Sequence, residues 1–351
     1  MVFSLFANDG YGAHLKGADI EYKCISGSQY EVTLYYYWDC TPPGLGVATT
    51  ARANNNFDFT NSCGLTNPNP SFKLINPGGT EITQICPSAV SSCTNTVTFD
   101  VDGALMLIFK DTVTLASNCV WNMRYDECCR DNKTNISGSP NFSVDAQLRT
   151  TVSACNTSPA FTSQPAPYIC QNSPYIMSLG AFDADGDSLV FELAKAETSA
   201  SGTVTYNAGY DFENPIDTLT PYAPNLNINP FNGDIAVFPV STGDFTVVVK
   251  IKEYDRNTKF LKGYIKRDFA LFVVSCASNS TPNVKANGAK NINSFGSIED
   301  STTINTLPIN GTLCFDLEFE DLDASDTLSI TSNISAILGA SATLTQTGIN
   351  P

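Results

Sequence analysis

The chain has 351 residues, of which 42% are hydrophobic, so it can build sizeable cores and wholesale disorder is excluded. Lys and Arg total 19 against 35 Asp and Glu, for a formal charge of −16. Such a surface repels the phosphates of nucleic acid and the headgroups of anionic membranes.

Met1–Ala7 is apolar but has no basic flank and is too short for a complete signal peptide. It reads as the tail of one or as an ordinary first strand. Ala18–Ile25 and Gln29–Trp38 carry alternating, β-branched and aromatic residues around Ser26-Gly27-Ser28, which predicts a hairpin. Alternation puts Tyr35 and Tyr37 on one face, Tyr36 and Trp38 on the other, with one face in the core. The other face is a candidate sugar-stacking platform. Asn54–Asn95 is rich in Asn, Pro, Gly and Ser and predicts long loops. Strands resume at Ala104–Leu115 and Val120–Tyr125. A Pro-containing polar stretch over Ala154–Pro167 marks a boundary. Beyond it, Tyr175–Leu179, Ser188–Leu193, Asp234–Phe238, Gly243–Tyr254 and Gly263–Val274 read as strands. A second boundary falls at Ala277–Gly288. No window has a sustained helical period, and no run of about 18 apolar residues exists.

These features predict an all-β chain of tandem β-sandwich domains: a cysteine-rich one over 1–155, an immunoglobulin-like one over 156–276, and a cadherin-like one over 277–351. The last is shorter than the ~100 residues of a typical sandwich, and is expected to be incomplete.

Nine of the 12 cysteines precede residue 156, no Cys-x-x-Cys occurs, and His14 is the only histidine. That spacing suits disulfides in an oxidising compartment better than zinc. Adjacent Cys128 and Cys129, if in a strand, point to opposite faces and are expected to bridge different partners. Cys170 and Cys276 bracket the second block and form a candidate pair, with Cys155 competing for Cys170.

Closely spaced aspartates recur before strands that begin Ser/Thr-Leu. Asp183, Asp185 and Asp187 flank Gly186 in the second block; Asp321, Asp323 and Asp326 stand in the third. Carboxylates on a tight loop are hard oxygen donors that suit Ca2+. The plain alternative is an Asx-rich turn that needs no metal.

The segment Gly12–Cys40, the run Asp126-Glu127-Cys128-Cys129-Arg130-Asp131, Asn156–Phe161, Tyr168–Cys170, Asp183–Leu189, Asn229-Pro230 with Gly233, and Arg267-Asp268-Phe269 before Cys276 occur in order. Together they resemble large cell-surface proteins of Bacteroidetes associated with gliding motility and type IX secretion. Lys16 departs from the family pattern where a second glycine is common, as does Trp38 where arginine is usual. The second block is similar to immunoglobulin-like repeats of bacterial surface proteins, and the third to cadherin-like repeats. The cadherin-like resemblance implies a calcium site from Glu299, Asp300, Asp321, Asp323 and Asp326, with the Asp183, Asp185 and Asp187 loop as a weaker copy. The resemblance as a whole implies a secreted, surface-located, adhesive protein. Its expected partners are an extracellular carbohydrate or protein surface and the secretion and motility machinery.

Any Ser-His-Asp or Cys-His catalytic site would depend on His14, and no Walker loop, Gly-x-Ser-x-Gly or His-Glu-x-x-His occurs. The sequence therefore predicts a non-enzyme with a structural or adhesive role. The competing expectation is an accessory carbohydrate- or protein-binding module of a larger secreted enzyme.

Overall fold

A computed structural model describes residues 15–40, 53–54, 56–85, 89–131, 133–165, 167–219, 226–276, 283–290, 297–298, 304–306 and 316–320. The protein is all-β, as its residue pattern predicts. The chain divides into two compact units, Met1–Ser275 and Cys276–Pro351.

Unit one contains β1 (Leu15–Ser26), β2 (Gln29–Asp39), β3 (Phe57–Asn61), β4 (Lys73–Leu74), β5 (Thr80–Glu81), β6 (Ala104–Thr114), β7 (Val120–Glu127) and β8 (Phe142–Arg149). These are followed by β9 (Ala160–Phe161), β10 (Tyr168–Cys170), β11 (Tyr175–Ser178), β12 (Ala181–Phe182), β13 (Ser188–Leu193), β14 (Asn227–Ile228), β15 (Asp234–Val237), β16 (Gly243–Tyr254) and β17 (Leu261–Val274). In unit two, β18 (Asn283–Lys290) pairs with β21 (Asp316–Glu320), and β19 (Ser297–Ile298) with β20 (Ile304–Thr306).

A 12-stranded sheet runs through unit one in the order β3-β7-β8-β17-β1-β2-β6-β4, with further strands branching from it. Its hub is β17. One edge of β17 pairs with β16 throughout. The other edge meets β8 at Gly263 and Tyr264, β1 at Arg267–Phe269, and β10 at Phe272–Val274. The boundary expected at 155/156 therefore lies inside a unit whose last strand pairs with strands from both sides of it. Tandem sandwiches are not what the sheet displays; a single sheet curls and branches. A break in local composition marks a turn of the chain, but the pairing of distant strands decides where a unit ends.

Curling brings β1, β2 and β6 over β3, β7 and β8 around one core. Ile20, Tyr22, Val32, Leu34, Phe109, Trp121, Met123, Phe142 and Val144 all lie in it. Tyr36 stacks on Trp38 and meets Tyr125 edge-on at 5.8 Å, joining the two groups of strands. Each large aromatic removed from water contributes about 1.5–3 kcal/mol, so this cluster outweighs any single polar contact in the fold. The alternation read at Tyr35–Trp38 holds. The proposed stacking platform does not, because Tyr37 is as buried as Tyr36 and packs in a second cluster with Ile82 and Phe272, against which Tyr35 leans. β2 is a central strand, paired on both edges, and both its faces are covered.

Among the strands of unit one longer than three residues, two are not predicted from the sequence. β3 lies within the stretch expected to be loop, where Phe57 and Phe59 point inward between polar neighbours. β8 follows a Gly/Pro-containing segment and buries both faces along most of its length.

At Gly17 the chain has φ +149°, and a Cβ would lie 2.1 Å from the Asp268 carbonyl oxygen. Here β1 pairs with β17, Gly17 opposite Phe269, so the position excludes a side chain on two grounds.

Disulfides join Cys24 to Cys155, Cys40 to Cys93, and Cys63 to Cys119. Cys128 and Cys129 bond to each other, contrary to expectation. The alternation argument fails there because β7 ends at Glu127, so the pair lies outside the pleat. Cys155 is taken by Cys24, and Cys170 and Cys276 are both disulfide-bonded.

Candidate metal centre

The Asp183–Asp187 loop joins β12 to β13. Asp183 Oδ1 accepts hydrogen bonds from the backbone N–H groups of Asp185 (3.0 Å) and Asp187 (2.8 Å), an Asx-type turn closed by Gly186 at φ +78°. The turn reading of this motif is thus correct as local structure. It leaves Asp183 Oδ2 and the Asp187 carboxylate directed elsewhere.

They meet Glu253. On β16, Phe245, Val247, Val249 and Ile251 face the core, and Glu253 is the next residue in that inward series. Asp183, Asp187 and Glu253 each present a carboxylate oxygen within 4.8 Å of the other two. The pairing of β16 with β17 is irregular between Glu253 and Tyr254. Lys262, at the start of β17, enters the centre beside that irregularity. Its ammonium donates to Asp187 Oδ2 and lies 3.9 Å from Glu253 Oε1. From the segment between β8 and β9, Asn156 Nδ2 donates to Glu253 Oε2 at 2.7 Å. That segment is fixed to β1, since Tyr22 N–H donates to Ser158 Oγ and Ser158 N–H to the Tyr22 carbonyl.

Three oxygens in these side chains are buried and accept no hydrogen bond: Asp183 Oδ2, Glu253 Oε1 and Asn156 Oδ1. Glu253 and Asn156 have 0% of their surface exposed, and Asp183 has 8%. Burial pushes the Glu253 carboxyl up to about 9; the Asn156 hydrogen bond opposes this, and the nearby Asp183 and Asp187 add to it. Burial also raises Asp183, reinforced by the charges of Asp187 and Asp185. Lys262 moves the other way. Burial disfavours its charge, but its hydrogen bond to Asp187 and the charge of Glu253 outweigh that and raise its pKa.

Of the residues singled out in the sequence, Asp183 and Asp187 belong to this centre. Asp185 does not: it is exposed and its Oδ2 accepts from the Thr157 N–H at 2.7 Å. Glu299, Asp300, Asp321, Asp323, Asp326 and His14 lie outside the described residues. Glu253, Lys262 and Asn156 were missed. For Glu253 a signal exists: an acid at the inward position of an otherwise apolar alternating strand.

Other buried charges are paired within the fold. Arg130 forks onto Asp268 at 2.8 and 2.6 Å and donates to the Glu197 carbonyl. Arg267 Nε bonds Asp19 Oδ2 at 2.5 Å, and its guanidinium lies 3.8 Å from the Phe161 ring centre. Glu21 beside them is pushed up to about 7, by burial first and by Asp19 second, against the pull of Arg267. Lys266 bonds Asp145 and Glu197. Three of the segments that carry the family resemblance thus meet in the structure through Asp19–Arg267 and Arg130–Asp268.

Among the described residues no helix is long and apolar enough to cross a membrane. No family model matches the chain, and neither a curated protein nor a solved structure is significantly similar to it.

Proposed function

We propose that this chain is a secreted cell-surface protein that works by binding or display, without turnover. The observation that carries the reading is the set of three disulfides spanning 131, 53 and 56 residues within one all-β unit. Bonds of this kind persist in oxidising surroundings and suit an exported protein. The buried ion pairs support a structural reading of its charges: Arg130, Arg267 and Lys266 are spent on carboxylates inside the fold. The ordered motifs from Gly12 to Cys276 support a role like that of the adhesive gliding-motility surface proteins they resemble. The two facing groups of strands in unit one support a sandwich-like, immunoglobulin-like architecture. An extracellular carbohydrate or protein is the partner class that follows.

The test has two arms. Antibodies against residues 15–275 should label intact cells of the source organism; labelling only after permeabilisation would overturn the surface assignment. The immobilised chain should retain a glycan or protein ligand from an array and release it unchanged. Chemical conversion of the ligand, abolished by one carboxylate substitution, would make it an enzyme instead.

A further inference from the structure

We propose that Asp183, Asp187 and Glu253, with Asn156 beside them, form a calcium site in unit one in which Lys262 is a built-in partial counter-ion. The proposal is independent of the surface role.

The first argument is oxygen left over. A folded chain seldom buries polar atoms without partners, because each has given up water and received nothing. Here two such atoms belong to the converging carboxylates, Asp183 Oδ2 and Glu253 Oε1, and a third, Asn156 Oδ1, belongs to the amide that donates to Glu253. They belong to residues at least nine-tenths buried. The second argument is charge. Three carboxylates face one ammonium, which leaves two negative charges uncompensated when all are ionised. A divalent cation closes that balance and a second lysine would not. Lys262 does not satisfy the centre alone: it is committed to Asp187 and lies beyond hydrogen-bond distance from Glu253 Oε1. The third argument is donor type. Every ligand offered is a hard carboxylate oxygen, with no histidine or thiolate in the group. Such a set selects Ca2+ over zinc. The Asx turn is an irregular, partly exposed frame that leaves room for water and backbone carbonyls to complete ~6–8 ligands, where Mg2+ demands a strict octahedron.

The ligand set differs from the one expected from the sequence. Asp185 is replaced by Glu253, some 70 residues on in the chain, because the turn sends Asp185 outward to Thr157 while β16 sends Glu253 inward.

The experiment uses the full 1–351 chain stripped with chelator. Terbium is the probe, excited through tyrosine, since Tyr22 interacts electrostatically with Glu253 and Asp183. Tyrosine-sensitised emission should appear and be displaced by millimolar CaCl2, but not by equal MgCl2. Asp183→Asn and Glu253→Gln should each weaken this by about 10–100-fold or more, while Asp185→Asn leaves it within about twofold. Emission unchanged in both Asp183→Asn and Glu253→Gln, or displaced equally by Mg2+, would overturn the proposal. If those variants fail to fold, hydrogen exchange on the wild type decides. Calcium should slow exchange of the Asp185 and Asp187 amides, and no change at 183–188 or around Glu253 would overturn the proposal.

Discussion

Removing the Cys24–Cys155 link by the double substitution Cys24→Ser/Cys155→Ser gives a test whose size follows from the structure. The bond closes a loop of 131 residues, the longest of the three that staple the sheet. With nothing else crossing it, the chain-entropy relation gives about 5 kcal/mol from restriction of the unfolded state. Cys63–Cys119 shortens the path round that loop to roughly 75 residues, which lowers the figure to about 4.5 kcal/mol. Native-state contacts should change little, because Cys24 is near the end of β1 and Cys155 lies between strands. Urea unfolding of the wild type and the double variant, both oxidised, measures the difference. The midpoint should fall by the free-energy loss divided by the m-value, and m should rise as the freed unfolded chain exposes more surface. Coincident transitions with equal m-values would refute the reasoning, since they would mean the link does not constrain the unfolded chain.

Further outcomes follow from the packing and the buried charges. Gly17→Ala should destabilise unit one by about 1–3 kcal/mol or more, since its Cβ collides with backbone. Gly27→Ala, at φ +55° with nothing within 4 Å, should cost only about 1–2 kcal/mol in thermal or urea unfolding. Arg130→Met should cost about 3–5 kcal/mol by stranding the buried Asp268 carboxylate, and Arg130→Met/Asp268→Leu should recover most of it; a double variant no more stable than the single would contradict this in the same assay. Glu21 should make stability fall as pH rises. Its carboxyl titrates near 7 in the folded chain against 4.5 unfolded, so the folded state holds the extra proton across that window. The loss is complete above 7, absent below 4.5, and no larger than about 3 kcal/mol because Glu21 keeps a partly exposed edge. Urea midpoints from pH 4 to 8 should lose that component of their slope in Glu21→Gln.

What the sequence discloses depends on how far apart the cooperating residues are. The hairpin of β1 and β2 was legible because alternation and its Ser-Gly-Ser turn are local, and β16 was legible end to end for the same reason. β3 was not, because five residues with two phenylalanines are hard to see amid Asn, Pro and Gly. The Cys128–Cys129 bond is misread when a strand rule is extended past the end of β7 at Glu127. In the acidic centre, Asp183 and Asp187 stood out through their spacing, while Glu253, Lys262 and Asn156 converge on them from three other segments. No local pattern encodes that convergence. The inward series Phe245, Val247, Val249, Ile251 and Glu253 does flag that something inside must answer a charge.

The place of the Cys24–Cys155 bond also decides how the unit carries tension. β1 runs antiparallel to β17, so the start of β1 lies beside the end of β17. A pull on the chain from outside those two ends loads their hydrogen bonds one after another, as in peeling. Peeling β1 away brings the load to Cys24, where the covalent bond hands it directly to Cys155. The 131-residue span between them drops out of the line of force. With Cys63–Cys119 intact the path round that span is roughly 75 residues, so at ~3.6 Å per extended residue on the order of 270 Å of potential slack stays locked behind the Cys24–Cys155 bond. The β2, β6 and β7 core can then remain folded while the rest of the unit yields, so under drag the chain would act as a short tether with a protected bead.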